Sequence, residues 1–313
     1  MSFTDSAKIF FDSINKSTML AKMVLALGIL LILLMIFNSG RSFQEGFTQT
    51  KAYILKEGDQ IFDSFYANFY DILVSTQIKN DYEIGEIVNK TGPDTESIIV
   101  DIGCGTGDHI AKLAEAGFNA TGIDKSVDMI QKAKEKHPNN TKQFLVGDAL
   151  DTMLLAPESV THILCLYFTL YYIKDKRQFF NNCMHWLMPG GYLAIHLVNR
   201  DKFDPILPSG DPLAIISPQR YAKQRIMDTY VEFDKVRYKG MFEIFPNDLA
   251  LYKEIFTDKD TGKVRENHHT FYMPEQKEIL NMARDAGFIM IAQIDLIKVG
   301  YDFQYIYILQ KPN

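Results

Sequence analysis

Three glycines fall within five positions of the stretch VDIGCGTGDH, residues 100–109, directly after the apolar run Ile98-Ile99-Val100. Bare backbone between a strand and a helix lets a ligand approach the N–H groups at the helix start. A dinucleotide loop reads G-x-G-x-x-G, but here Gly103, Gly105 and Gly107 are followed by Asp108, where its third glycine belongs. A pyrophosphate would then meet a carboxylate, a poor electrostatic neighbour. With Asp101 before the loop and Asp108 after it, the pattern suits a cationic or zwitterionic ligand. No His, Cys, Asp or Glu cluster has ligand spacing, so no metal is expected. His268 and His269 are adjacent, and neighbours on a strand face opposite sides.

The elements that must position this loop alternate. Ser97–Val100 reads as a buried strand and Asp108–Ala116 as a helix stopped by Gly117. Strand Ala120–Ile123, helix Val127–Lys136 and strands Gln143–Val146 and Val160–Tyr167 follow. A helix from Lys176 buries Phe179, Phe180, Cys183, Met184 and Leu187, and Pro189-Gly190-Gly191 is expected to end it before strand Tyr192–Leu197. Apolar strands separated by amphipathic helices imply a parallel sheet covered on both faces. From about Asn199 the pattern changes to short strands, Thr229–Tyr238, Met241–Phe245, Ala250–Phe256 and Val264–Phe271. Helix Glu275–Ala286 and strands Ile289–Ile297 and Phe303–Leu309 close the domain. The tight connection between the last two requires one antiparallel strand. Upstream, Ile61, Phe62, Phe65, Phe69, Ile72 and Leu73 recur at helical spacing after Asp59.

The whole chain has 313 residues, 47% hydrophobic and 23% charged, with a net charge of −6, which suits a globular domain and disfavours nucleic acid as a partner. Its three cysteines, Cys104, Cys165 and Cys183, are odd in number and point to free thiols in a reducing compartment. Residues 19–37 are apolar but for Lys22, long enough as a helix to cross roughly 30 Å of hydrocarbon. The expected organisation is a tail (1–18), a single transmembrane helix (19–37), a linker (38–58) and a folded domain (59–313) with an inserted β subdomain (199–272). A cleaved signal peptide and a buried helix are the competing readings of 19–37. Basic residues flank both ends, Lys8 and Lys16 against Arg41, Lys51 and Lys56, too evenly to orient the helix. Sequons at Asn89 and Asn139 stand against a cytosolic side.

Five landmarks in order, VDIGCGTG (100–107), GID (122–124), GDA (147–149), LYFTLYYI (166–173) and WLMPGGYL (186–193), resemble the class I S-adenosylmethionine-dependent methyltransferases. The likeness covers roughly residues 60–198 and 274–310. It implies a Rossmann-like, seven-stranded, mostly parallel sheet with one antiparallel strand, an antiparallel β insertion between the fifth and sixth strands, and S-adenosylmethionine as methyl donor. Carried over residue by residue, Gly103, Cys104, Gly105 and Gly107 would lie under the methionine part and Asp101 would attract its ammonium. Asp124, followed by Lys125, would take both ribose hydroxyls, because a carboxylate offers two acceptors to a vicinal diol. Asp148 would accept from the adenine amine with the Ala149 backbone facing the ring, and Met129 and Leu150 would sandwich it. Tyr167 would border the cleft between cosubstrate and acceptor. The cosubstrate is made in the cytosol, so the domain is expected on that side of the membrane.

Methyl transfer from a sulfonium is an in-line displacement that positioning alone largely promotes, with a base needed only if the acceptor arrives protonated. The likeness therefore says little about the acceptor. Tyr171, Tyr172, His196, Asn199, Phe242, Phe245, His268, His269 and Tyr272 are the acceptor-side candidates, with Tyr66 and Tyr70 as a lid. His196, at a strand end, is the expected base, and Tyr167 its companion. LYFTLYY lacks the Asn/Asp-Pro-Pro-aromatic and Pro-Cys motifs of nucleic-acid enzymes, so a small-molecule or lipid-borne acceptor is expected. An aminopropyltransferase, a non-catalytic tethered scaffold and a nicotinamide dehydrogenase are the alternatives. Sequence leaves the oligomeric state open.

Overall fold

The computed structural model describes residues 18, 19, 22–24, 26–28, 47, 49–74, 76–206, 219 and 222–313. Residues 49–232 and 236–313 form one compact unit, which holds every strand of the two sheets. The expected membrane helix, 19–37, lies mostly outside the described residues. Among the described residues no helix is long and apolar enough to cross a membrane.

The central sheet has seven strands. In chain order they are β2 (Ile98–Ile102), β3 (Asn119–Asp124), β4 (Phe144–Val146), β5 (Val160–Cys165), β6 (Leu187–Val198), β11 (Ile289–Asp295) and β12 (Gln304–Gln310), arranged β11-β12-β6-β5-β2-β3-β4. Strand β12 runs antiparallel to both its neighbours, and the pairings from β6 to β4 are all parallel. The chain reverses direction of travel across the sheet beside β2, where helix α3 (Asp108–Glu115) begins, and ligands in such sheets bind at that switch point.

The helices follow from local signals. Helix α4 (Val127–Lys136) starts at Ser126, whose side chain accepts from the Met129 N–H, and buries Met129, Ile130 and Ala133. Helix α6 (Lys176–Trp186) starts at Asp175 in the same way, and helix α7 (Gln276–Asp285) packs beside it. Pro189-Gly190-Gly191 does not end α6: the chain turns extended at Leu187, and the three residues lie inside β6. The Gly190 N–H there donates to the Lys311 carbonyl beyond β12. The expected helix after Asp59 is a 3-10 turn (Gly58–Ile61) followed by α1 (Ser64–Val74). Helix α2 (Gln77–Thr91) is new. It is capped by Thr76 at one end and by Gly92, at φ 60°, at the other.

The insertion holds four antiparallel strands, β7 (Asp228–Glu232), β8 (Val236–Ile244), β9 (Leu249–Asp258) and β10 (Val264–Tyr272). The single strand expected over Thr229–Tyr238 is a hairpin. A fifth strand, β1 (Tyr53–Glu57), pairs in parallel with β10, in the register Tyr53 to Val264 through Glu57 to His268. This corrects the linker reading of 38–58 at its C-terminal end. The N-terminal strand of the unit thereby joins the inserted sheet rather than the central one.

Candidate active site

A cavity of about 910 Å³ runs from the glycine loop to the inner face of the inserted sheet. Its volume lies in the range of cofactor and substrate pockets. Ile102, Gly103, Gly105, Asp124, Lys125, Gly147, Asp148, Ala149 and Leu150, from the ends of strands β2, β3 and β4 or the turns after them, form one wall together with Met129 of α4. Tyr167, Phe168, Thr169 and Tyr172, from the turn after β5 and helix α5 (Thr169–Tyr172), form the floor. Phe242, Tyr252, His269, Phe271 and Tyr272 of the insertion form the opposite wall, and Tyr66 and Tyr70 of α1 reach in from the side.

The three glycines do different work. A Cβ at Gly107 would stand 2.5 Å from the Phe144 ring, and one at Gly103 would run into Thr169, so these two let neighbouring elements close on the loop. Gly105 faces the cavity, where a Cβ would meet the Tyr70 ring at 3.4 Å and Met129 Cε at 3.5 Å. All three have φ between 56° and 86°, the left-handed region that a side chain strains. Cys104 and Gly107 do not line the cavity. Cys104 is buried and its Sγ packs against Gly122 of β3.

Asp124 holds the loop in place. Its Oδ2 accepts from the Gly105 N–H at 3.0 Å and its Oδ1 from the Ser126 N–H at 2.9 Å. Each oxygen keeps a lone pair for a ligand donor, so the donor set fits a ribose diol. Burial, partly offset by those two N–H groups, raises its pKa. Asp148 Oδ1 accepts from the Leu150 N–H at 2.9 Å, while Lys125 bridges Asp148 at 3.2 Å and Asp59 at 2.9 Å. The Ala149 carbonyl is fixed by the Asn182 amide at 2.9 Å. Asp108, in contrast, pairs with Lys136 at 2.6 Å and does not reach the cavity.

Asp101 lies behind the loop rather than on the cavity surface. It is buried, 3.6 Å from His109 Nδ1, and its Oδ2 has no hydrogen-bond partner. His109 also meets Glu83 of α2 at 3.1 Å, and Glu83 meets Lys79 at 3.1 Å. Burial alone would raise the Glu83 pKa, but Lys79 and His109 bring it down to about 2. Burial likewise opposes charge on His109, yet Asp101 and Glu83 raise it to about 9. The Lys79 ammonium sits 5.0 Å from the Tyr167 ring and 5.6 Å from the Tyr301 ring, both on the cavity. Sequence reasoning missed Lys79 and Glu83 together with their helix. Their i,i+4 spacing was the available signal.

His196 is not where a base would act. It is fully buried and absent from the cavity lining. Its Nδ1 lies 2.7 Å from the Tyr167 carbonyl, which can only accept, so Nδ1 carries the proton and Nε2 is left without a partner. Burial lowers its pKa to about 4. The reason is Tyr167, which turns left-handed at φ 51° and stacks its ring in parallel on the imidazole at 6.1 Å, between His196 and the cavity. Tyr171 is also buried, and its hydroxyl oxygen accepts from the Val198 N–H at 2.8 Å. Asn199, Phe245 and His268 do not line the cavity. Tyr172, Phe242, His269 and Tyr272 do, and so do Tyr66 and Tyr70.

The insertion adds residues that sequence did not single out. Glu254 is fully buried, and its Oε1 accepts from Tyr238 at 2.8 Å and Tyr66 at 3.4 Å. Its Oε2 accepts from Asn267 at 3.0 Å and His269 Nε2 at 2.7 Å. The signal was in the alternation of β9 and β10: Glu254 shares a phase with Ala250, Tyr252 and Phe256, and Asn267 with His269 and Phe271. Polar residues in the inward phase mark a buried network. Among the described residues no group of three or more His, Cys, Asp or Glu is arranged to hold a metal ion.

Residues 100–195 match a family described as a methyltransferase domain. The ubiquinone biosynthesis O-methyltransferase of Rickettsia felis is 27% identical over 134 residues, 40% of this chain and 51% of the relative. The chain thus spans about half the length of the curated relatives it matches. Among solved structures, an S-adenosylmethionine-dependent methyltransferase from Clostridium acetobutylicum superposes with a TM-score of 0.60 at 17% identity, over 80% of this chain and 98% of that one. A sugar N-methyltransferase from Streptoalloteichus sp. gives 0.57 at 18% identity, over 87% and 100%. Residues 100–195 thus match a methyltransferase domain, and the likeness to the solved structures shows a Rossmann-like fold.

Proposed function

We propose that this protein transfers a methyl group from S-adenosylmethionine to a small molecule seated between the glycine loop and the inserted sheet. One observation carries the reading. A single cavity is walled on one side by Gly103, Gly105, Asp124 and Asp148, and on the other by an aromatic sheet with a buried histidine.

When bound, the cosubstrate supplies an electrophilic methyl group on a sulfonium. The chain's own residues bind and orient. Asp124 offers its remaining lone pairs to the ribose, Met129 and Leu150 flank the adenine, and Gly105 presents backbone to the methionine part. The buried Lys79, Glu83, His109 and Asp101 cluster sits behind that loop and gives it a fixed electrostatic background. Phe62, Phe168, Phe242 and Phe271 keep water from the acceptor side and suit an apolar or ring-bearing molecule. The Rickettsia relatives are named for ubiquinone biosynthesis, which is consistent with a lipid-borne ring as acceptor. Tethering through residues 19–37, with the domain on the cytosolic side, completes the reading and rests on the apolar run.

Calorimetry of the full-length protein in detergent is expected to show S-adenosylhomocysteine binding. Absence of binding removes the proposal. Protease protection in vesicles tests the orientation, which falls if the domain is shielded on the lumenal side.

A further inference from the structure

The wall opposite the glycine loop contains a chain of hydrogen bonds that leads from the cavity to a buried carboxylate. Tyr172 Oη lies 2.7 Å from His269 Nδ1, and His269 Nε2 lies 2.7 Å from Glu254 Oε2. His269 and Glu254 side chains are both inaccessible to bulk solvent, whereas Tyr172 and one face of His269 line the cavity. Glu254 can only accept, so the His269 proton belongs on Nε2. Nδ1 is then free to accept, and the Tyr172 hydroxyl donates to it. Tyr172 Oη in turn has lone pairs left for a donor in the cavity.

The packing fixes this alignment from every side. The Phe62 ring stands edge-on to Tyr172 at 5.3 Å and to His269 at 5.9 Å, and Phe271 stacks on His269 at 6.3 Å. Glu254 takes two further strong donors, Tyr238 and Asn267, which leave its carboxylate one orientation. The rings of two further titratable residues, Tyr66 and Tyr252, also face His269. Asn267 is itself held by Arg265, whose guanidinium pairs with Asp63 at 2.8 Å.

We infer that Tyr172, His269 and Glu254 form a proton relay that activates a hydroxyl acceptor, with Tyr172 and His269 as catalytic residues and Glu254 as the residue that positions His269. The inference rests on the methyl-transfer reading above. In the step it describes, the acceptor oxygen bonds to the methyl carbon as the carbon–sulfur bond breaks, its electron pair staying on sulfur. The acceptor's proton passes to Tyr172 Oη while Tyr172 gives its own to His269 Nδ1. The imidazolium so formed is balanced by Glu254. A hydroxyl is the acceptor class that needs this, because its oxygen becomes a good nucleophile only as the proton leaves. An amine sheds its extra proton to water before binding and then presents a ready lone pair.

The test has a spectroscopic arm and a kinetic arm, both on the full-length protein. In 15N-histidine-labelled protein, the ring signals lost in H269Q are expected to report a proton on Nε2 and none on Nδ1. A proton on Nδ1 overturns the relay. In the kinetic arm, methyl-labelled S-adenosylmethionine is offered with catechol, 4-nitrophenol, cyclohexanol and benzylamine. Y172F removes one oxygen and H269Q keeps the polarity of the wall. Both are expected to bind S-adenosylhomocysteine within about twofold of wild type while kcat on a hydroxyl probe falls at least about 100-fold. E254Q is expected to lower kcat about tenfold alone and to have no further effect in the H269Q background. Wild-type rates in Y172F or H269Q overturn the inference. So does methylation of benzylamine with none of the hydroxyl probes, or of no probe by protein that binds S-adenosylhomocysteine. Failure of the wild type to bind S-adenosylhomocysteine removes the methyl-transfer reading itself.

Discussion

The two walls of the cavity are built on opposite principles. The glycine-loop wall is made of backbone: its shape comes from three left-handed glycines, and its main carboxylate, Asp124, spends one acceptor site per oxygen on N–H groups of Gly105 and Ser126. The inserted wall is made of side chains that meet partners across long sequence distances, such as His269 with Tyr172 of the floor, 97 residues apart. A backbone wall keeps its shape through most side-chain changes, and a side-chain wall is free to vary. A wall of the first kind is broken by adding atoms, and a wall of the second kind by removing them.

That contrast can be broken at named positions. The largest effect is expected from Gly107→Ala, where the new methyl would meet the Phe144 ring in a left-handed backbone. Overpacking and strain together cost about 3 to 4 kcal/mol, read by chemical denaturation. Gly262→Ala, in the β9–β10 turn at φ 70° with open space around it, isolates the strain alone, at about 1 kcal/mol. Equal losses at the two sites would show that the loop glycines are not packing glycines. Next comes Asp124→Ala, which leaves two N–H groups unpaired and removes the ribose acceptor. Binding of S-adenosylhomocysteine is expected to weaken at least 100-fold, about 3 kcal/mol, in calorimetry. An unchanged affinity would place the cosubstrate elsewhere.

A third effect belongs to the buried charges behind the loop. His109 titrates near 9 in the folded chain against an ordinary 6.5, so its bound proton stabilises the fold fully below pH 6.5. That stability, about 3 kcal/mol, is lost as pH rises through 9. His196 works in the opposite direction, since a folded value near 4 withdraws stability as pH falls below 6.5. Denaturation midpoints should therefore peak near pH 6.5, and His109→Gln should flatten only the alkaline side. A midpoint in that variant still falling between pH 6.5 and 9 would remove His109 as the cause. The smallest effect is expected at Lys125→Ala. Its two ion pairs lie on side chains 42–77% exposed and contribute at most about 0.5 kcal/mol to stability. A loss above about 1 kcal/mol would mean that Lys125 braces the wall.

The same contrast explains what could be read from sequence. Gly105, Asp124, Asp148 and Met129 stand at fixed offsets from strand ends, and their placement on the cavity follows from local geometry. His196 also stands at a strand end, but β12 pairs beside it, His196 against Ile306, and Tyr167 swings across it. Neither event has a signature within a few residues. Helix α2 hides Lys79 and Glu83 as a buried pair inside a sequence that reads as polar. The inward phase of Glu254 on β9 marks it as buried, but what it does becomes visible only once Asn267, Tyr238 and His269 are seen around it. Pairing over distance, not residue type, is what the sequence withholds.

Strand β1 adds a consequence in time. It is synthesised well before its partner β10, with Tyr53 hydrogen-bonded to Glu266, 213 residues later. A growing chain thus carries β1 unpaired until β10 has emerged, and contacts of such separation close slowly. The turn and helix that come after β1 bring Phe62, Tyr66 and Tyr70 to the cavity. Strands β2 to β6 can therefore pair before the ligand site is finished, and the pocket is closed only once β10 meets the segment that follows β1.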